Sequence, residues 1–380
     1  MKIGISAHPC DRRHSVASEY VENIVRCMPE LSSDTYVVFV PGELSPIFER
    51  AHPQVTEVTQ PAWVSNPVIN VIWHLAVLPW LLRKHGCDCV YMPAGHLRLS
   101  WWYGKPSVGA VHEFGVDHGA KPATSLSILY RTRLLPKMLK RLTHVISASR
   151  ALRSQLVTKI NLNRDRVDVV YDGADLSWLT PMPEPEARQK VGDHFDLHTP
   201  YILYTGRLEH PGMNHLRLLA AFKQLKREAG IPHKLVCAGS AWYGTEEIFA
   251  AADRLGIRND LVFLENIHDE RLCPLLAAAD LFVYPALHAD SCTPVLQAMA
   301  CRTAVCAANV GSIPEVVGDA AMLFDPNSVD EIHNSMLRLL TDDSARERCA
   351  RVGHRRSGFF NWEDSARHVL SICRVVMSTS

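Results

Sequence analysis

The chain has 380 residues, which is too long for one ordinary hydrophobic core and predicts two domains. Hydrophobic residues make up 47% and charged residues 21%, a balance typical of a globular protein and not of a disordered one. Because 40 basic and 40 acidic residues cancel, the overall charge gives no reason to expect a nucleic-acid partner.

The first half of the chain alternates short apolar runs with longer helical patterns. Several runs are continuous β-branched and aromatic stretches, which is typical of parallel strands covered on both faces. A longer apolar run, 68–82, contains Asn70, His74 and Pro79, so it is too interrupted to span a bilayer and predicts a buried or interfacial helix. The predicted strands are residues 2–6, 35–40, 89–92, 107–111, 144–147 and 167–170.

A basic stretch follows the fourth predicted strand. Residues 121–163 contain nine Lys or Arg and no Asp or Glu. One interpretation is a solvated helix face. The other is a basic face that rests on anionic lipid or receives a phosphate-bearing acceptor. The core of the stretch is Arg131, Arg133, Lys137, Lys140 and Arg141.

Residues 174–200 carry four prolines among charges, which predicts a rigid connection between domains. Beyond it the strand and helix alternation is clearer. Repeated βα units predict a doubly wound parallel sheet. The predicted strands are residues 201–205, 234–238, 261–264, 281–284, 304–307 and 321–324, and the predicted helices cover 214–228, 269–278, 295–300 and 313–317, with another from 246.

The cysteines and the N-terminus bear on location. Eleven cysteines are scattered without a C-x-x-C pair, so a zinc site is not expected. An odd count without a framework predicts reduced thiols in a cytosolic compartment. The opening MKIGISAH predicts a first strand and not a signal peptide. We therefore expect a cytoplasmic protein, and a peripheral position at the inner membrane face stays open.

Four stretches resemble the family 4 glycosyltransferases, retaining enzymes of the GT-B fold that use nucleotide-activated sugars. LFVYPALHADSCTPVLQAMACRTAVCAANVGSIPEVVGDAAMLFDP is similar to their donor-site signature, and YILYTGRLEHPGMNHLRLLAAF to the first strand, loop and helix of the donor domain. VISASRALRSQLV with VDVVYDGAD resembles the end of the acceptor domain. FFNWEDSARHVL resembles the start of the last helix, which in the family crosses back onto the first domain.

The resemblance covers nearly the whole chain and implies two Rossmann-like domains facing across a cleft. We expect an acceptor-side domain at residues 1–175 and a nucleotide-sugar-side domain at 176–361. The helix at about 362–380 is expected to pack back onto the first domain. Ligands of such α/β sheets bind at the carboxyl ends of the strands.

Sugar transfer requires that a leaving diphosphate be held and neutralised. The resemblance implies this role for Arg207, which follows a predicted strand. Gly239 ends the next strand, where the family packs the base. His112 matches a family histidine that faces the donor sugar, although a histidine after a strand is often structural. Glu315 matches a segment beside the donor site, but with Ser312 it also predicts a helix capping box.

Several positions depart from the family pattern. Met213 stands where the family has a second diphosphate-binding Lys, and a thioether cannot neutralise a phosphate. Ala289 replaces the first Glu of the signature, with Asp290 one residue along as a substitute carboxylate. Gln297 replaces the second Glu, which binds ribose, and keeps only an uncharged acceptor. The loop glycines are replaced by Ser291 and Cys292, whose side chains occupy space that the family leaves to the ligand.

The loop after the first strand also departs, since it lacks the glycine that faces the diphosphate in the family. One interpretation gives Arg12, Arg13 or His14 a role near a phosphate, and the other is an ordinary polar loop.

Two functions follow from these patterns. The first is a glycosyltransferase that moves a sugar, with retention, from a nucleotide-sugar to a saccharide or lipid-linked acceptor. It needs no cofactor and no metal, and Arg131–Arg141 would dock the acceptor or an anionic membrane. The second is an inactive relative that acts as a binding or scaffold subunit beside a partner transferase. Fold alone does not decide between them, and a rebuilt site using Cys292 as nucleophile has no adjacent histidine to support it.

Overall fold

The computed structural model describes residues 1–7, 16–41, 52–114, 128–265, 267 and 269–378. The described residues divide into two compact units. The first comprises 1–7, 16–41, 52–114, 128–173 and 362–378, and the second comprises the described part of 174–361.

The strands and helices alternate along the chain. The strands are β1 (Lys2–Ser6), β2 (Thr35–Pro41), β3 (Val55–Gln60), β4 (Cys89–Met92), β5 (Ser107–Val111), β6 (His144–Ser147), β7 (Val167–Val169), β8 (Tyr201–Thr205), β9 (Lys234–Ala238), β10 (Leu261–Leu264), β11 (Leu281–Tyr284), β12 (Val305–Ala308) and β13 (Met322–Phe324). The helices are α1 (Val16–Leu31), α2 (Pro67–Ile72), α3 (Leu78–Lys84), α4 (Leu135–Leu139), α5 (Arg150–Ile160), α6 (Glu184–Phe195), α7 (His215–Ala229), α8 (Thr245–Leu255), α9 (Asp269–Ala277), α10 (Thr293–Ala300), α11 (Ile313–Val317), α12 (Val329–Thr341), α13 (Asp343–Ser357) and α14 (Trp362–Ser378).

In the first unit, the described strands form one parallel sheet in the order β3-β2-β1-β4-β5-β6-β7. One face packs on α1 and α14, with Tyr20, Trp362 and Val369 buried in that core. This order, which reverses at β1, is the doubly wound arrangement that the sequence predicts.

The opposite face of the first sheet is covered by α5 and by three irregular segments, residues 62–84, 97–105 and 128–142, of which the second is a loop. α2 and α3 are joined by a π-helical turn, Trp73–Val77, and a second π turn, Tyr130–Leu134, precedes α4. Leu78, Leu99 and Leu139 bring the three segments into one buried core. The predicted helix over 68–82 is therefore a broken one, since a π turn interrupts the regular helical hydrogen bonds.

The described strands of the second unit form a parallel sheet in the order β10-β9-β8-β11-β12-β13. The order of the strands reverses between β8 and β11. The carboxyl ends of these two strands therefore form a topological switch point. Ligands of open α/β sheets bind in the crevice at such a point. The candidate site is therefore sought at the edge of this sheet formed by the carboxyl ends of β8 and β11.

The segment predicted as a proline-rich connection contains a regular helix, α6. Pro183 precedes the helix and Pro185 lies in its first turn, where the missing N–H of proline costs nothing. Arg188 of α6 donates to Asp280 at 2.9 Å, which ties the helix to the second unit. The sequence did not predict this helix, because proline favours a helix start as well as a linker.

Two doubly wound parallel-sheet units confirm the predicted fold class. The sequence missed β3, whose side chains are only partly buried at the edge of the first sheet. No helix in the described ranges is long and apolar enough to cross a membrane.

Candidate functional site

The loops after β8 and β11 are joined directly at the switch point of the second sheet. Leu287 N–H donates to the Gly212 carbonyl at 2.9 Å. Asn214 Nδ2 donates to the carbonyls of Pro285, at 3.0 Å, and Pro326, at 2.7 Å. Asn214 has a left-handed backbone (φ 58°), which an asparagine adopts at low cost. The side chains of both loops are therefore presented at one edge of the sheet.

Arg207 lies two residues after β8, at this edge, with 49% of its side chain exposed. Its guanidinium carbon lies 5.3 Å from the centre of the Trp242 ring. Its Nε lies 3.9 Å from Oε2 of Glu209, whose side chain is buried. A stacked guanidinium keeps its planar fork of donors, so the arginine is held without losing its capacity to bind an anion.

Met213 lies in the same loop and packs against the neighbouring strand. Its sulfur accepts a hydrogen bond from the Tyr284 hydroxyl at 3.9 Å. The Tyr284 ring stacks on Tyr204 with centroids 6.1 Å apart. The position at which the family has a second cation is thus occupied by a methionine that contacts Tyr284 of β11.

Gly239 brings the loop after β9 against the loop after β8. A Cβ at this position would lie 1.9 Å from the Gly206 carbonyl oxygen. Such a distance is impossible for a real side chain, so the sequence needs glycine here. The two loops therefore meet backbone to backbone directly before Arg207.

The 289–292 loop is anchored to the start of α11. Ser312 N–H donates to the Ala289 carbonyl at 2.7 Å, and a Cβ on Gly311 would lie 2.0 Å from the same oxygen. Ala289, Asp290 and Cys292 are all buried. Asp290 is therefore a buried carboxyl of the loop, and Ala289 contributes its backbone.

Helix α10 begins at Thr293, directly after this loop. Ser291 is half-buried before it, and the side chain of Gln297 is buried on its second turn. The N–H groups of the first turn of a helix carry partial positive charge and bind anions. The start of α10 is therefore a source of positive potential at the end of the 289–292 loop.

The predicted capping box at α11 was wrong. Ser312 precedes the helix, but its backbone is already helical and its side chain makes no capping bond. The carbonyl of Glu315 accepts from Arg356 Nη2 at 2.9 Å, and Arg356 Nε donates to the Val316 carbonyl. Arg356 of α13 therefore fixes α11, a role that sequence spacing does not reveal.

Three hydroxyl groups lie buried at this edge, and sequence reasoning missed those of Thr205 and Thr293. The hydroxyls of Thr205, Thr293 and Ser312 are buried and make no hydrogen bond to any described residue. A buried hydroxyl without a partner costs free energy, which a ligand that bonds to it recovers. Thr205 ends β8, Thr293 begins α10 and Ser312 precedes α11, and the last two flank the loop that carries Asp290.

A shallow depression lies farther along the same sheet, beyond β12 and β13. Asn309, Asp325 and Glu331 are among its lining residues, and no Lys or Arg lines it. A diphosphate would meet two carboxylates there, so this depression does not fit the leaving group of a nucleotide-sugar.

His112 of the first unit follows β5 and is buried. Its Nε2 donates to the Pro93 carbonyl at 2.9 Å, and its Nδ1 lies 3.2 Å from Oδ1 of Asp172. The second contact is close but not aligned as a hydrogen bond, so it is an ion pair. Burial by itself would lower the pKa of His112. The charge and contact of Asp172, the Pro93 carbonyl and the charge of Glu113 together outweigh burial, so the net direction of the pKa is upward. His112 therefore keeps its proton to a higher pH than a free histidine does.

The aromatic surroundings complete the enclosure of His112. The Tyr20 ring meets it edge-on at 4.1 Å, and the His96 ring lies 5.6 Å away. Burial lowers the pKa of His96 to about 3, which keeps that neighbour neutral. Both nitrogen atoms of His112 thus face groups of its own unit.

The loop after β1 cannot be compared with its prediction. Arg12, Arg13 and His14, which the sequence places in that loop, lie outside the described residues.

Two family models match the chain. A model described as glycosyl transferases group 1 matches residues 186–356, and one described as Glycosyltransferase Family 4 matches residues 17–178. The chain belongs to the group 1 glycosyltransferases. The family 4 model covers most of the first unit. The group 1 model covers most of the second unit, including the edge that carries Arg207.

A relative of this glycosyltransferase is the O-antigen chain mannosyltransferase B of Escherichia coli. The two are 30% identical over 250 residues, which is 66% of this chain and 65% of that enzyme. The serotype-specific mannosyltransferase WbdA of the same organism is 26% identical over 58% of this chain but only 27% of its own length. The chain therefore spans less than two thirds of these relatives.

Solved structures share the fold over the whole chain. Sucrose-phosphate synthase from Thermosynechococcus elongatus has a TM-score of 0.81 at 18% identity and full coverage of both chains. HepE from Anabaena, crystallised with UDP and glucose, has a TM-score of 0.76 at 18% identity, covering 99% of this chain and all of that one. The glycosyltransferase thus has the GT-B fold that the resemblance implied.

Proposed function

We propose that this glycosyltransferase moves a hexosyl group from a nucleoside-diphosphate sugar to a saccharide or lipid-linked acceptor in polysaccharide or glycolipid synthesis. The observation that carries the proposal is the position of Arg207, half exposed at the switch point of the second sheet and stacked on Trp242. The name of the E. coli relative, a mannosyltransferase of an O-antigen chain, supports this acceptor class.

In the proposed reaction, Arg207 neutralises the diphosphate as the bond from the sugar to the phosphate breaks. The N–H groups at the start of α10 add positive potential at the same edge. Electrostatic stabilisation of a leaving group is commonly the largest contribution to catalysis. In this proposal the hydroxyls of Thr205, Thr293 and Ser312, which are buried, bond donor oxygens, and Gln297 accepts from a ribose hydroxyl.

Three finer points belong to the same proposal. Transfer proceeds with retention, and His112, with both ring nitrogens engaged within the first unit, serves the site by holding the segment after β5 and not by direct contact with the sugar. No metal takes part, because Arg207 and helix dipoles carry the counter-charge, so a chelator should leave turnover unchanged. The chain acts in the cytoplasm at the inner membrane face, in keeping with its uninterrupted basic stretch.

The test is transfer from UDP- and GDP-linked hexoses to a mixed pool of saccharide and lipid-linked acceptors. We expect turnover with one donor, a loss of at least about 100-fold in Arg207→Ala, and partial rescue by Arg207→Lys, which keeps charge but not the fork. Arg351→Ala, an exposed arginine on α13, is the matched control. Equal background hydrolysis by wild type and Arg207→Ala, without transfer, would sink the proposal.

A second candidate function is a catalytically inactive binding or scaffold subunit beside a partner transferase. Met213 favours it, because its sulfur is bonded to Tyr284 where a second cation is expected. The Ala289 backbone, held by Ser312, leaves no carboxyl group at the first Glu position.

Met213→Lys separates these two functions. If the donor edge is active but short of charge, the lysine should tighten nucleoside diphosphate binding by about tenfold. If neither wild type nor Met213→Lys binds any nucleotide, and the chain co-purifies with another transferase, the scaffold function is the better account.

A further inference from the structure

Large apolar side chains are unevenly distributed over the surface. Of the nine that are most exposed among the described residues, six lie on the segments that cover one face of the first sheet. These segments are residues 62–84, 97–105 and 128–142. Exposed apolar groups that cluster on one layer mark an interaction surface, whereas scattered ones do not. The six are Trp63, Ile72, Trp80, Trp102, Ile128 and Leu129.

The same three segments are strongly basic. They contain nine Lys or Arg, no Asp and no Glu, although the whole chain has equal numbers of basic and acidic residues. A carboxylate from outside the segments, Glu113, reaches Arg131 at 3.9 Å. The exposed cations include Arg83, Lys84, Arg133, Lys137, Lys140 and Arg141.

Cations and tryptophans are paired across the segments. Arg83 lies 4.8 Å from the centre of the Trp102 ring, and Arg141 lies 5.1 Å from that of Trp101. Lys84 lies 5.1 Å from the ring of Trp80 on the same helix. These contacts join all three segments, so their outward side chains form one continuous surface, which we call the Trp–cation surface.

We propose that the Trp–cation surface docks on an anionic phospholipid bilayer, with tryptophans at the headgroup level and cations on the phosphates. Tryptophan is enriched at membrane interfaces because its ring is apolar and its N–H is polar. Clustered Lys and Arg are attracted by anionic lipid. The described helices do not span a bilayer, so the contact is peripheral.

A second copy of the chain fits this surface poorly. A two-fold dimer brings identical surfaces together, so the exposed cations of one protomer would face the same cations of its partner. Like charges opposed across an interface repel. Charge complementarity therefore favours an anionic partner, and the exposed indoles favour a bilayer over a purely polar polyanion.

The test uses the full chain with vesicles of phosphatidylcholine, alone or mixed with phosphatidylglycerol. We expect co-sedimentation with the mixed vesicles, weakened by salt, and little with phosphatidylcholine alone. Five of the eight tryptophans lie on these segments, so brominated lipid should quench the intrinsic fluorescence of bound protein.

Two double variants should lose binding. Each cation near an anionic surface contributes about fivefold in affinity, so Lys137→Glu with Lys140→Glu should weaken binding by at least about 30-fold. Trp80→Ser with Trp102→Ser should lower both binding and quenching. Because all four side chains are exposed, the variants should keep the melting temperature of wild type.

Matched controls lie on the second unit. Phe359→Ser removes an apolar side chain that is 74% exposed, and Arg348→Glu with Arg351→Glu reverses two exposed cations of α13. Neither should alter vesicle binding. The inference is overturned if mixed vesicles do not retain the chain at low salt, if the controls lose as much binding as the surface variants, or if the surface variants abolish a dimer instead. Vesicle binding without sugar transfer would keep this inference and end the proposed function.

Discussion

His112 and Arg207 are the two positively charged groups that the sequence associates with a donor, and the structure surrounds them in opposite ways. His112 is 6% exposed, with a carbonyl on one nitrogen and a carboxylate beside the other. Arg207 is 49% exposed, and its planar group is stacked with its donors accessible. A charge enclosed by its own unit contributes to stability, whereas a charge held at an open edge is available to a ligand.

The buried pair gives the largest expected effect. Asp172→Asn should lower the free energy of unfolding by about 3 kcal/mol at pH 6, because it leaves a buried imidazolium without its counter-charge. Asp168→Asn is the control, since His144 and Asp168 lie 2.9 Å apart but Asp168 is 56% exposed, and it should cost less than about 1 kcal/mol. Urea unfolding followed by circular dichroism measures both, and equal losses would contradict the contrast.

This pair also carries a pH dependence with a definite sign. The pKa of His112 is raised in the folded protein, chiefly by Asp172 against the opposing effect of burial. Its stabilisation is therefore fully present below the unfolded value of about 6.5 and lost as pH rises through the folded value. The effect of Asp172→Asn on stability should shrink between pH 6 and pH 9.

The close approach of Gly239 to Gly206, next to Arg207, gives the next effect on stability. Gly239→Ala should cost about 3 kcal/mol, because its Cβ would lie 1.9 Å from the Gly206 carbonyl oxygen and the two loops must separate. Nucleotide binding should weaken with it. Gly230→Ala, at φ 60° with no atom near its Cβ, should cost about 1 kcal/mol and leave binding intact.

His215, in the second unit, is a buried histidine whose pKa shifts in the direction opposite to that of His112. Burial lowers its pKa to about 4, while its hydrogen bond to the Glu209 carbonyl acts in the opposite sense. Stability from the neutral ring is present above about pH 6.5 and lost as pH falls toward 4. His215→Asn should therefore reduce the loss of stability between pH 7.5 and pH 5 by about 2 kcal/mol. Parallel pH profiles for variant and wild type would refute this assignment.

Most of the fold was predictable because parallel strands in this chain are continuous apolar runs. The predicted bounds of β1, β4, β5 and β6 coincide with the structure. β3 was not found, because its VTEVTQ pattern is half polar at a sheet edge, and α6 was missed because its prolines also fit a linker.

The candidate site was predictable where a residue follows a strand, as Arg207 does. Burial without a partner is a property of packing and not of sequence, so the hydroxyls of Thr205 and Thr293 left no signal. The contact of Arg356 with α11 also left no signal in the sequence, because Arg356 lies 41 residues from Glu315 along the chain. Charge and strand order are thus visible in a sequence, while polar contacts between distant segments are not.

The most direct test of the account is calorimetric titration of wild type and Arg207→Ala with UDP and GDP, with Arg351→Ala as the matched control. We predict that one diphosphate binds wild type and Arg351→Ala equally and binds Arg207→Ala at least about 30-fold more weakly. Binding that is unchanged in Arg207→Ala, or absent from wild type at millimolar nucleotide, would contradict the claim that this edge holds the donor diphosphate.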